Sequence, residues 1–155
     1  MSYRIEGLSR LPFEHLFSLP EEELAHHNAR RVVADSKPGF PCRVTLEDAE
    51  PGEELLLVNY ISLDAPTPFR TAYAIYVREA ALGPAVYLDE LPPAFDGRVL
   101  SLRGFDAEGM LRQAVLTQPG EAEAGIRQLF DHPQIASIHA HNAILGCFAA
   151  KIERN

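Results

Sequence analysis

Ile135-Ala-Ser-Ile-His139-Ala-His141-Asn142-Ala-Ile-Leu-Gly146-Cys147-Phe148-Ala-Ala-Lys151-Ile-Glu153 is the stretch that decides the fold. Two alternating runs, 135–142 and 147–153, flank a break that ends in glycine. Successive side chains of a strand point to opposite faces. Ser137, His139 and His141 therefore share one face of the first run, and Ala136, Ile138 and Ala140 share the other. On the return run Phe148, Ala150 and Ile152 fall together, with Cys147, Ala149 and Lys151 opposite. Matching apolar to apolar pairs Asn142 with Gly146 and leaves 143–145 as a three-residue hairpin loop, in which glycine commonly takes the left-handed conformation. In that register Cys147 stands directly across from His141, with Cα atoms about 4.5–5.5 Å apart. One face is then core, with Ile138, Phe148 and Ile152, and the other carries His139, His141 and Cys147.

Outward from this hairpin, the 12 prolines and 10 glycines favour many short elements over a few long helices. Alternation or short apolar runs predict strands over 3–8, 29–35, 42–47, 54–60, 73–78, 85–88, 98–103 and 110–117. Two helical segments are expected, near residues 12–27 and 121–131. In the first, Pro12 and Pro20 mark helix starts and Glu21, Glu22 and Glu23 suit a first turn. In the second, Ala122, Ile126, Leu129 and Phe130 fall on one face before Pro133. There is no regular β-α-β alternation. The expectation is an α+β fold, a mostly antiparallel sheet with two helical segments and a C-terminal β-hairpin.

A chain of 155 residues is the size of one compact domain, and a single domain over 1–155 is expected. The net charge of -8 argues against nucleic acid as a partner, because that binding depends on neutralising phosphates, and it disfavours an anionic membrane surface. No long apolar run and no leader-like N-terminus stand in the sequence, which reads as cytoplasmic. Cys42 and Cys147 are then expected as free thiols. No phosphate-binding glycine motif and no paired-cysteine zinc motif is present.

The chemistry-bearing candidates are few. Cys42, His139 and His141 are the catalytic candidates, because a histidine beside a thiol lowers its pKa and makes a nucleophile. His139, His141 and Cys147 are the metal-ligand candidates, since histidines at i and i+2 on a strand can hold one divalent ion and a thiol can help complete the set. No other cofactor is suggested. A third reading is structural, with histidines bonded to backbone carbonyls and cysteines acting as small apolar groups. Arg43, Arg70 and Arg103, with Asn142, are candidates for holding a small anionic ligand, because guanidinium matches carboxylate and phosphate bidentately. Asp48, Glu50 and Glu53 read as a solvated loop. Three functions stay open: a pocket for a small anion beside the hairpin, a thiol- or metal-dependent enzyme, and a structural or protein-interaction module with no active site. The oligomeric state is not legible.

Several runs are familiar in combination: Pro38-Gly-Phe-Pro-Cys42-Arg43-Val-Thr-Leu-Glu-Asp48-Ala-Glu-Pro-Gly52-Glu53, Pro68-Phe-Arg70, Leu102-Arg-Gly-Phe-Asp106-Ala-Glu-Gly-Met110, His139-Ala-His141-Asn142 and Gly146-Cys147-Phe148. Together they resemble an uncharacterised bacterial family, the domain of unknown function numbered 1203. The resemblance spans about Arg4 to Glu153. It implies a bacterial, single-domain protein and no activity. It directs attention to Cys42-Arg43, His139-x-His141-Asn142 and Gly146-Cys147. Relatives often carry an acidic residue or histidine after the apolar strand at 54–60, where this chain has Tyr60-Ile-Ser-Leu63.

Overall fold

The structure is a computed structural model that describes residues 1–155. Nine strands form two antiparallel sheets. They are β1 (Tyr3–Glu6), β2 (Ala29–Val33), β3 (Glu54–Leu63), β4 (Thr71–Arg78), β5 (Val86–Leu88), β6 (Leu100–Phe105), β7 (Leu111–Thr117), β8 (Ser137–Asn142) and β9 (Phe148–Arg154). The larger sheet runs β5-β1-β9-β8-β6-β7 and the smaller β2-β3-β4. Helix α1 (Glu21–His26) follows a 3-10 turn at Glu14–Ser18, and α2 (Ala122–Phe130) lies between β7 and β8. The fold is α+β and mostly antiparallel, with β8 and β9 as a C-terminal hairpin. No helix is long and apolar enough to cross a membrane.

Periodicity explains the two cores. In the large sheet Leu100, Leu102, Ile138, Ala140, Ala150 and Ile152 lie on one face, under Ile126, Leu129 and Phe130 of α2. A second core joins Leu56, Val58, Ile75 and Val77 of the small sheet to Phe13, Leu16 and Leu24 of the N-terminal helical segment. The face of the large sheet away from α2 turns toward the small sheet, where the Phe148 ring stands 6.1 Å from that of Tyr60.

Residues 42–47 are not a strand. Cys42 and Pro41 make only isolated bridges, and the chain then turns, with Leu46 N donating to Cys42 O at 3.0 Å and Leu46 in the left-handed region at φ 54°. Alternation misled here because Cys42, Val44 and Leu46 are all buried, yet they serve different cores. Cys42 and Val44 join the core of the small sheet, while Leu46 joins that of the large one. The turn is the junction between the sheets. Arg43 N bonds Tyr76 O of β4, whereas Arg43 O and Val44 O accept from Leu8 N and Ala85 N beside β1 and β5. Arg78 secures it by donating to Thr45, Glu47 and Glu53. Gly7 permits the close approach, since a Cβ there would lie 1.9 Å from the Val44 carbonyl oxygen.

The hairpin register also differs from expectation. Ile138 pairs with Ile152, His139 with Lys151 and Ala140 with Ala150, two residues along from the expected alignment. Both alignments keep the same parity, so matching small apolar residues does not separate them. Between Ala140 and His141 the register slips by one, and His141 pairs with Phe148. The slip leaves Ala149 as surplus, a β-bulge. Phe148 therefore moves to the histidine face, and Ala149 takes its place in the α2-side core.

Candidate functional site

The bulge decides what surrounds Cys147. Asn142, not His141, is its cross-strand neighbour: Asn142 N donates to Cys147 O at 2.9 Å, and Gly146 N donates to Asn142 O at 2.8 Å. The loop is the four residues 143–146, closed by Gly146 at φ 82°, a backbone that glycine adopts without a Cβ penalty. The Asn142 side chain follows its backbone, with Nδ2 donating to Cys147 Sγ at 3.4 Å.

Arg43 completes the group from the inter-sheet turn. It is 3% exposed. Its Nε donates to Phe148 O at 2.7 Å, one terminal nitrogen to Pro41 O, and the other to Cys147 Sγ at 3.2 Å. No carboxylate forms an ion pair with it. Burial pulls its pKa down and Cys147 pulls it back up, while guanidinium remains cationic at any ordinary pH. A guanidinium has five N–H groups, so three bonds leave two free.

These residues form the floor of a cleft of about 410 Å³ between β3–β4 and the hairpin tip. Pro41, Arg43, Asn142 and Cys147 line its polar end, and Leu57, Tyr73, Tyr76, Ile144 and Leu145 line the rest. Ile144 is 88% and Leu145 71% exposed, so the loop tip holds an apolar edge over the mouth. Arg98 also lines the cleft, but its charge is taken by Asp48 at 2.7 and 2.8 Å. Asp48 is thus buried, not a solvated loop residue. Burial works to raise its pKa, and the bonds from Arg98 and the Gly39 N–H outweigh this and lower it.

The histidines lie elsewhere. His139 is buried against Phe105 and Phe148, at ring distances of 5.2 and 5.5 Å, and opens on a second cleft of about 750 Å³ with Tyr60, Asp64, Asp106, Ser137 and Lys151. His141 lines neither cleft. Its Nδ1 donates to the Gly146 carbonyl at 2.9 Å, which places the ring proton on Nδ1 and leaves the buried Nε2 bare and without a partner. His139 Nδ1 is also buried and unpartnered. Burial lowers both histidines, His139 to about 4, so both rings are neutral near pH 7. The Phe148 ring packs on both histidines, while its carbonyl accepts from Arg43.

Of the sequence candidates, the fold brings together Arg43, Asn142 and Cys147. Cys42 is fully buried in the small-sheet core, where Sγ accepts from the N–H groups of Val44 and Arg78 at 3.4 Å. Arg70 pairs with Asp64, and Arg103 bonds Ser101 on the strand beside His139. Neither lines the cleft of Arg43. No group of three or more His, Cys, Asp or Glu side chains converges as a metal-ligand set. Sequence reasoning passed over Pro41, Leu57, Tyr73, Tyr76 and the loop tip. The exposed Ile144-Leu145 pair in a hairpin loop, where polar residues are usual, was the available signal for the last of these.

Residues 39–154 match the model of a family described as "Protein of unknown function (DUF1203)". That span contains every residue of the Arg43 cleft. No curated protein and no solved structure matches the chain.

Proposed function

Since the chain belongs to the DUF1203 family, whose description carries no activity, we propose from geometry and chemistry alone that the cleft between the small sheet and the hairpin tip binds a small organic anion. One observation carries the reading: a buried arginine with no acidic partner and two free N–H groups stands at the floor of an open cleft. Buried charges are ordinarily paired, because leaving one unpaired costs several kcal/mol of desolvation. An incoming carboxylate supplies the missing charge and accepts both free N–H groups in the bidentate geometry that guanidinium favours. Leu57, Tyr73, Ile144 and Leu145 suit an apolar body behind that head. A largely apolar pocket with a few convergent polar groups is the usual form of a small-molecule site.

The test is a series of carboxylates from acetate to phenylpropanoate, each compared with its neutral amide, read by thermal unfolding and by ligand-observed NMR. The acids raise the melting temperature in a saturable way and the amides do not, with affinity rising along the series. Arg43→Met removes the difference. Ile144→Asp, at an exposed position that no core residue needs, weakens the longer acids. If no acid outperforms its amide on the wild-type protein, the reading is wrong.

A further inference from the structure

We propose that Cys147 is a nucleophile and that it acts on small carboxylates whose adjacent carbon bears a leaving group. This rests on the anion reading of the same cleft and adds the reacting atom to it. The sulfur is not isolated. The Arg43 guanidinium and the Asn142 amide both aim N–H donors at Sγ, at 3.2 and 3.4 Å. Charge-assisted donors of this kind suit a sulfur that carries negative charge, and the thiolate is the form that attacks carbon. Independently, Arg43 is nine-tenths buried and more, has no acidic partner, and lines the same cleft as Cys147. The guanidinium therefore serves two anions, sulfur on one side and a carboxylate on the other. A carboxylate held by its free N–H groups has its adjacent carbon near Sγ, and this proximity replaces a bimolecular encounter.

Cys42 cannot share this role. It is sealed in the small-sheet core, and its sulfur accepts two backbone N–H groups. The Asn142 Oδ1, buried and without a donor, remains to accept a hydrogen bond from a substrate N–H or O–H.

Iodoacetate is the simplest probe of the class. Sγ attacks the methylene carbon, the C–S bond forms as the C–I bond breaks, iodide departs with the electron pair, and the thiol proton passes to solvent. The native full-length protein is treated at pH 7.5 with iodoacetate or with neutral iodoacetamide, and the modified peptides are followed by mass spectrometry. Cys147 is carboxymethylated while Cys42 stays free, and iodoacetate reacts about tenfold faster than iodoacetamide, as local attraction of the substrate's charge requires. Phenylpropanoate protects Cys147, and Asn142→Ala slows the reaction while leaving the preference for the acid intact. Equal or faster reaction with iodoacetamide overturns the proposal, as does modification of both cysteines together only on unfolding. If carboxylates bind reversibly but Cys147 is inert to iodoacetate, the nucleophile is refuted and the anion site stands. If Cys147 reacts without preference and no acid binds, both fail.

Discussion

The Arg43 guanidinium donates to Cys147 Sγ at 3.2 Å, joining the inter-sheet turn to the C-terminal hairpin. The same side chain holds Phe148 O and Pro41 O, so a planar fork with several donors is required at this point. Arg43→Lys offers one ammonium to three divergent acceptors and destabilises by about 2–4 kcal/mol in urea unfolding. A double-mutant cycle between Arg43→Met and Cys147→Ala returns a coupling of about 1–2 kcal/mol. Additive effects would mean that the contact contributes nothing.

His139 makes stability depend on acid. Burial holds it neutral in the folded protein, with a pKa of about 4 against 6.5 for the free side chain. Between those values the unfolded chain binds more protons than the folded one, so stability falls as pH falls from about 6.5 toward 4. The loss is on the order of 3 kcal/mol for this residue. His141, lowered for the same main reason, adds to it in the same direction. His139→Phe, which preserves ring packing against Phe105 and Phe148, flattens the pH profile of urea unfolding in this window. An unchanged profile would show that His139 protonates freely in the folded state.

Gly7 admits no side chain. The Cβ of alanine would meet the Val44 carbonyl oxygen at 1.9 Å, far inside van der Waals contact, and the three atoms nearest to it, from Val44 and Arg43, are all backbone. Gly7→Ala must push the junction turn away from β1, at a cost of roughly 3 kcal/mol or more. Because Arg43 precedes Val44, the displacement also weakens carboxylate binding. Calorimetry and ligand titration read the two effects in one variant.

Asp48→Asn tests the second arginine of the cleft. The carboxylate binds Arg98 with both oxygens and also accepts the Gly39 N–H. Removing its charge costs about 2–4 kcal/mol and leaves a second unpaired guanidinium beside the cleft. Binding of dianions such as succinate then rises relative to monoanions. No change in that ratio would place Arg98 out of reach of the ligand.

Much of the fold was legible because it rests on local periodicity. The strands expected at 54–60, 73–78 and 110–117, the helix expected at 121–131 and the C-terminal hairpin follow from alternation, the 3.6-residue period and glycine or proline stops. Cys42–Glu47 was not legible. It alternates like a strand, but its buried side chains are divided between two cores, which only the tertiary arrangement reveals. The hairpin register was hidden by Ala149 and Ala150, small residues that fit either alignment. The site was legible in its members Arg43, Asn142 and Cys147 but not in their partners. Parity counted from an unbroken strand placed His141 beside the thiol and Asn142 away from it, whereas one surplus residue reversed that arrangement.

Ala149 is thus a spacer whose length has chemical consequences. Were β9 to run on at the same length without the bulge, Ala149 would stand across from His141 and Phe148 across from Asn142, which turns the Phe148 ring to the α2 side and moves Cys147 into the loop. A slip of one position at a residue with no functional group therefore sets both the ring that packs on the histidines and the thiol that meets Arg43.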